Sequence, residues 1–95
     1  MEFCIMNDNY PFWRNCREPG LCRHEIFFGT GNRRLSIEDG LVVFLTPEMH
    51  NMTNYGVHFN RDFDLKLKKA GERAWIDYYG KSKEDFIKRY GRNYL

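Results

Sequence analysis

Cysteine, proline and histidine are scarce in this 95-residue chain, with three of each. Cys4, Cys16 and Cys22 are an odd number at spacings that match no disulfide framework, which excludes a disulfide-stapled scaffold. The chain does not open on the basic start and apolar run of a secretory leader, so reduced thiols in a cytoplasmic protein are expected. No apolar stretch approaches the roughly 18 residues of a membrane-spanning helix, which excludes membrane insertion. Internal repeats and low-complexity segments are also absent, so the chain reads as one domain.

A domain of this size has a small core and is often held by a metal, disulfides or a partner. An aromatic content of 17% supplies enough bulk for a core without such a staple. The net charge of +2 hides an asymmetry, because residues 61–95 hold ten Lys/Arg against six Asp/Glu. Residues 1–60 hold the remaining five and seven, so the C-terminal part carries +4 and the rest −2. Cationic side chains on a C-terminal helix suit a polyanion, since each neutralised phosphate releases counterions; a solvated helix face is the plainer reading.

Turn residues dominate up to Gly20, including Asn7-Asp8-Asn9, Tyr10-Pro11 and Glu18-Pro19-Gly20, so residues 1–20 are expected to be irregular and to wrap over the domain. Leu21 to Phe28 reads as a strand ending at a turn over Gly29-Thr30-Gly31-Asn32. Leu41-Val42-Val43-Phe44-Leu45 is the clearest strand. Thr46 as cap, Pro47 in the first helical position and Glu48 in the first turn then announce a short helix, which Gly56 ends. From Asn60, Phe63, Leu67, Ala70, Ala74 and Tyr78 recur at helical spacing, with Lys66, Lys69 and Arg73 on the other side and Gly80 as the stop. Ser82-Lys83-Glu84-Asp85 resembles a capping box opening a final helix through Arg89. The expected order is loop, strand, turn, strand, short helix, long helix, helix.

Chemistry concentrates around the three histidines. His24 is followed by Glu25, His50 by Asn51, and His58 stands near Asn54 and Asn60. Imidazoles beside carboxylate or carboxamide groups can bind a divalent cation and orient a phosphate, so the pattern points to metal-assisted phosphodiester chemistry. Tyr10, Phe12 and Trp13 can either stack on bases or cover the core, and Arg33 and Arg34 can be a solvated turn or phosphate contacts. His58, between Val57 and Phe59, can equally face solvent from a strand edge.

A strand with a histidine, a second strand and a short helix with another histidine resembles the ββα-metal, or HNH, nucleases. The likeness is nearest to small phage-encoded HNH proteins of the recombination-enhancement type. Those have a His-His or His-Glu pair, an Asn-Arg turn, a Gly-Val-His-Phe-Asn segment and an ending like Tyr90-Gly91-Arg92-Asn93-Tyr94-Leu95. Four such segments occur in order over roughly residues 22–95. The resemblance implies an α+β fold in a single domain, with residues 21–59 as the ββα core and 60–95 as two further C-terminal helices. It implies a DNA endonuclease or nickase using one divalent cation, Mg²⁺ or Mn²⁺, in the bacterial host cytoplasm. By position His24 matches a metal ligand, Glu25 the general base, His50 the ligand on the helix, and Asn54 and His58 a further ligand or phosphate contact. DNA would be met by Asn32, Arg33, Arg34, Lys66, Lys69 and Arg73.

Several positions depart from the family. Glu25 replaces a histidine, and an ordinary carboxylate is a weak base at neutral pH, so chemistry favours His24 as base with Glu25 as ligand, against the positional match. Gly40 stands where an asparagine usually orients the catalytic histidine, leaving Asp39 or Asn32 as substitutes. Of two Cys-x-x-Cys pairs in many relatives only Cys4 remains, with Thr46 and Met49 in the second pair; a structural zinc needs four ligands, which argues against one here. These losses leave an alternative open: a catalytically impaired relative that binds DNA or a host or phage protein, for example an inhibitor of a host defence nuclease.

Overall fold

The apolar run before Pro47 forms the centre of the molecule. In the computed structural model, which describes residues 3–8, 13–29, 31–54 and 61–95 with backbone alone for 51–54, Val42–Leu45 (β2) is buried along its whole length. On one edge it pairs antiparallel with Cys22–Glu25 (β1), in the register Cys22 to Leu45 and His24 to Val43. On the other edge Arg14 exchanges both backbone hydrogen bonds with Phe44. The Cys4 thiol donates to the Val42 carbonyl at 3.0 Å, and the Arg17 guanidinium lies 5.3 Å from the Phe44 ring centroid. The turn-rich N-terminal segment thus covers the strand, which is why every residue of β2 can be apolar.

The strand around His24 is shorter than its apolar run. It ends at Glu25, although Ile26 still donates to the Leu41 carbonyl. Between the two strands lies a helix, Asn32–Glu38 (α1), where the sequence suggests only a turn. Its one fully buried side chain is Ser36, whose hydroxyl donates to the Leu41 carbonyl and accepts from the Phe27 amide. A helix that buries a serine and lacks a side-chain cap carries no apolar period to read. Gly40 then reverses the chain with φ +77°, and a β-carbon there would come within 3.0 Å of the Phe3 ring. Only glycine meets both demands cheaply.

Pro47–Asn54 (α2) follows β2, and Arg61–Tyr79 (α3) and Lys83–Tyr90 (α4) complete an α+β fold with two strands and four helices among the described residues. None of these helices is long and apolar enough to cross a membrane. On α3 the buried apolar positions are Phe63, Leu67 and Trp75, with Gly71 between them. A β-carbon on Gly71 would sit 3.1 Å from the Phe27 ring, so this glycine lets α3 approach the end of β1. Tyr78, expected on the buried side, is 59% exposed and meets the Phe3 ring edge-on. The core is aromatic, with Phe27 and Phe86 centroids 5.2 Å apart and Phe86 stacked on Tyr90 at 4.6 Å.

The predicted capping box of α4 is formed, with the Ser82 hydroxyl accepting from the Asp85 amide and the Asp85 carboxylate accepting from the Ser82 amide. Asp39 ties α1 to both C-terminal helices. Its carboxylate accepts from Trp75 Nε1 at 2.8 Å, Tyr90 Oη at 2.8 Å and Arg89 Nε at 2.6 Å. That bond is the main reason the Arg89 guanidinium holds its proton more strongly than usual, and burial pushes the Tyr90 phenol up. Glu72, fully buried on α3, accepts from the Tyr94 amide at 2.7 Å and so anchors the C-terminal residues across that helix.

Candidate functional site

Alternate side chains of a strand face opposite ways. On β1 this sets His24 on the face covered by α2 and α3, and Arg23 and Glu25 on the other. Helix α2 begins at the expected cap, with the Thr46 hydroxyl accepting from the Met49 amide at 3.3 Å. Because Pro47 follows the strand directly, the first turn of α2 carries His50 back over β1. The two imidazole centroids are 5.9 Å apart, with planes inclined at 77°. His24 is only 4% exposed, and its Nε2 has no hydrogen-bond partner among the described residues.

Burial is the main reason the His24 pKa is lowered to about 4, and the positive neighbours His50, Lys68 and Arg33 push the same way. At neutral pH His24 is therefore an uncharged imidazole, the form that can donate a lone pair to a metal. The unfolded chain protonates this histidine near its ordinary value of 6.5, whereas the folded chain does so only near 4. His24 therefore favours folding fully above pH 6.5, and that contribution is lost as pH falls towards 4. The loss should reach about 3 kcal/mol in the metal-free protein. Urea unfolding at pH 7 and pH 4.5 measures it, and a His24→Leu variant should show a shallower pH dependence. An equal dependence in both proteins would contradict the assignment.

The Glu25 carboxylate faces two guanidinium groups, Arg23 Nε at 3.3 Å and Arg33 Nε at 3.6 Å. Of the three residues expected to converge, His24 and His50 do so, while Glu25 stands on the far side of the strand. Asp39 and Asn32 do not orient His24. The first is held by Trp75, Arg89 and Tyr90, and the Asn32 amide donates to the Tyr90 carbonyl at 3.2 Å. Asn32 thereby holds α1 to the end of α4.

Arg33 and Arg34 are exposed on α1, Arg34 pairing with Glu38 at 3.4 Å. Lys66, Lys69 and Arg73 are exposed on α3. Lys66 and Arg73 border a groove shared with Met6, Asp8, Trp13 and Asp77, so acidic groups temper that basic face. Trp13 is buried, with its indole nitrogen donating to the Asn7 carbonyl, which makes it a core residue rather than a base-stacking one. The three cysteines are free thiols. Tyr10, Phe12, Gly56 and His58 lie outside the described residues, as does the side chain of Asn54. Among the described residues no group of three His, Cys, Asp or Glu side chains is placed to hold a metal.

One residue near His24, Lys68, and its ion-pair partner Asp64 are not singled out by the sequence pattern. Lys68 contacts the Phe28 ring, which is itself edge-on to the His24 imidazole at 6.1 Å, and forms an ion pair with Asp64 at 2.7 Å. The spacing of Asp64 and Lys68 by one helical turn was the available signal, but it marks many solvated helices equally well. Neither a family model, nor a curated protein, nor a solved structure matches the chain.

Proposed function

We propose that this protein is a metal-dependent DNA endonuclease or nickase built on a ββα-metal core of the HNH type. The observation that supports the reading is the edge contact of His24 and His50, reached from a strand and from the helix after the next strand, with a buried, unpaired nitrogen on His24. Two imidazoles suit a divalent cation as nitrogen ligands, and Asn54 and His58 are the positions the resemblance assigns to the rest of the site. Bound there, a cation would polarise the phosphate and stabilise the leaving oxygen. His24 serves as a ligand in this reading, because its buried Nε2 has no hydrogen-bond partner among the described residues. Glu25, the position that the resemblance assigns to the base, lies on the other face beside Arg23 and Arg33, out of reach of a water held between the two histidines.

The same two guanidinium groups favour the second reading. A carboxylate engaged by two cations is a poor proton acceptor, as expected of an impaired relative that binds DNA or a host protein without cutting. A supercoiled plasmid incubated with Mg²⁺, Mn²⁺, Ni²⁺ or Co²⁺ separates the two. Nicking that disappears in EDTA is the expected result, and a Glu25→Gln variant that keeps metal binding but cuts about 10²-fold more slowly would return Glu25 to the base position. Weakened metal binding in that variant would make Glu25 a ligand and His24 the base. If wild type cuts nothing with any of the four ions, the impaired-binder reading replaces the nuclease.

A further inference from the structure

A shallow hollow of about 350 Å³ lies where α1, α3 and α4 meet, lined by Leu35, Trp75, Lys81, Asp85, Lys88 and Arg89. Trp75 is buried and Leu35 half-buried, whereas Lys81 and Lys88 are exposed, so the apolar side chains form the floor and the charges the rim. One wall is fixed in advance. The Asp39 carboxylate accepts from Trp75 Nε1 at 2.8 Å and from Arg89 Nε and Nη2 at 2.6 and 2.8 Å, and Glu38 accepts from the same Nη2 at 3.2 Å. The guanidinium is thus gripped along one edge, while its third nitrogen, Nη1, makes no hydrogen bond among the described residues. Lys81 and Lys88 form no ion pair among the described residues either. The one acid of the lining, Asp85, is committed to the helix cap, its Oδ2 accepting from the Ser82 amide at 3.1 Å and the Ser82 hydroxyl at 3.0 Å. Those bonds are the main reason its carboxyl lies below the usual range, and Lys81 and Lys88 add to the effect.

Three cationic side chains against one engaged carboxylate, set around an apolar floor, suit a ligand with an anionic head and an apolar body. A carboxylate head would bring two oxygens and a single charge. A phosphate monoester brings three terminal oxygens, one for each of the three cations, and about −1.5 to −2 of charge at neutral pH. An arginine already held along one edge loses little further freedom when its remaining donors engage such a group. We propose that this hollow binds a phosphate monoester carried on a ring-bearing body of nucleotide size, with the phosphate on Lys81, Lys88 and Arg89 and the ring against Leu35 and Trp75. A free nucleotide and the 5′-phosphorylated end of a DNA strand present the same chemistry. The proposal does not rest on the His24–His50 site.

The test is a titration of the ¹⁵N-labelled full chain with deoxyadenosine monophosphate in EDTA, read at the Trp75 indole and at the amides of residues 81–89. Saturable shifts centred on those signals are expected. Inorganic phosphate should bind on the order of tenfold more weakly, because it buries no ring on the apolar floor. Lys81→Met and Lys88→Met should each weaken nucleotide binding on the order of fivefold, the size expected of one exposed charge, and the double variant should lose most of it. Lys83→Met, on α4 but outside the hollow, should bind as wild type does. A short DNA strand with and without its 5′-phosphate then separates the sources. Shifts that need the phosphate put strand ends among the ligands, and shifts seen only with the mononucleotide restrict the site to free nucleotides. No saturable shift with either, inorganic phosphate binding as tightly as the nucleotide, or a wild-type response in the double variant would overturn the proposal.

Discussion

His50→Ala is expected to abolish metal-dependent DNA cleavage and leave the fold intact. His50 is only partly buried, in the first turn of a helix, and alanine is the best helix former, so little stability should be lost. On the nuclease reading proposed above, removing this ligand would also remove the cation and with it several kcal/mol of transition-state stabilisation, on the order of 10³-fold in rate. Single-turnover cleavage with Mn²⁺, read beside a thermal melt, checks both halves. An active variant with a wild-type melt would take His50 out of the mechanism. His24→Ala should also abolish cleavage, but it is the less clean experiment: it empties a site that is 4% exposed, so a fall in stability accompanies any loss of activity.

Asp39→Ala should cause the largest loss of stability among the polar residues. The change strands the Trp75 and Tyr90 donors in the interior and leaves Arg89 without the carboxylate that it grips through two nitrogens. Breaking a buried ion pair typically costs about 3–5 kcal/mol, and the partial exposure of Arg89 argues for the lower end. At roughly 4–8 °C per kcal/mol for a domain of this size, the melting temperature should fall by more than about 10 °C. Circular dichroism melts measure this, with Tyr90→Phe as a milder comparison that loses one hydrogen bond, about 1 kcal/mol. A melting temperature within a few degrees of wild type would mean that the network is not the tie between α1, α3 and α4.

The two largest effects thus fall on residues that read quite differently from sequence. His50 was legible because its helix announces itself locally: Thr46, Pro47 and Glu48 form a cap that needs nothing from the rest of the chain. Asp39 was misread as a possible partner of His24. Beside a turn glycine it looks like loop chemistry, and nothing local reveals that Trp75, Arg89 and Tyr90 reach it across more than thirty residues. Helix α1 was missed for a related reason, since it buries a serine through hydrogen bonds and carries no apolar period. On α3 the helix was clear but its rotation was not, and a shift of the buried stripe brought in Trp75 and exposed Tyr78.

By itself the sequence determined the α+β class, the central strand, three of the four described helices, two of their starts and the nearness in kind of His24 and His50. These follow from short-range rules of capping, β-branching and helical period, which act within a few residues. Only the tertiary structure decided that His24 faces His50 while Glu25 faces the arginines, that Asn32 and Asp39 bind helices together, and that Lys68, unlike the exposed Lys66 and Lys69, turns inward against Phe28. Those outcomes depend on strand register and helix rotation. A one-residue slip in register would exchange His24 and Glu25 between faces, and the packing of distant aromatic side chains, not any local signal, prevents it.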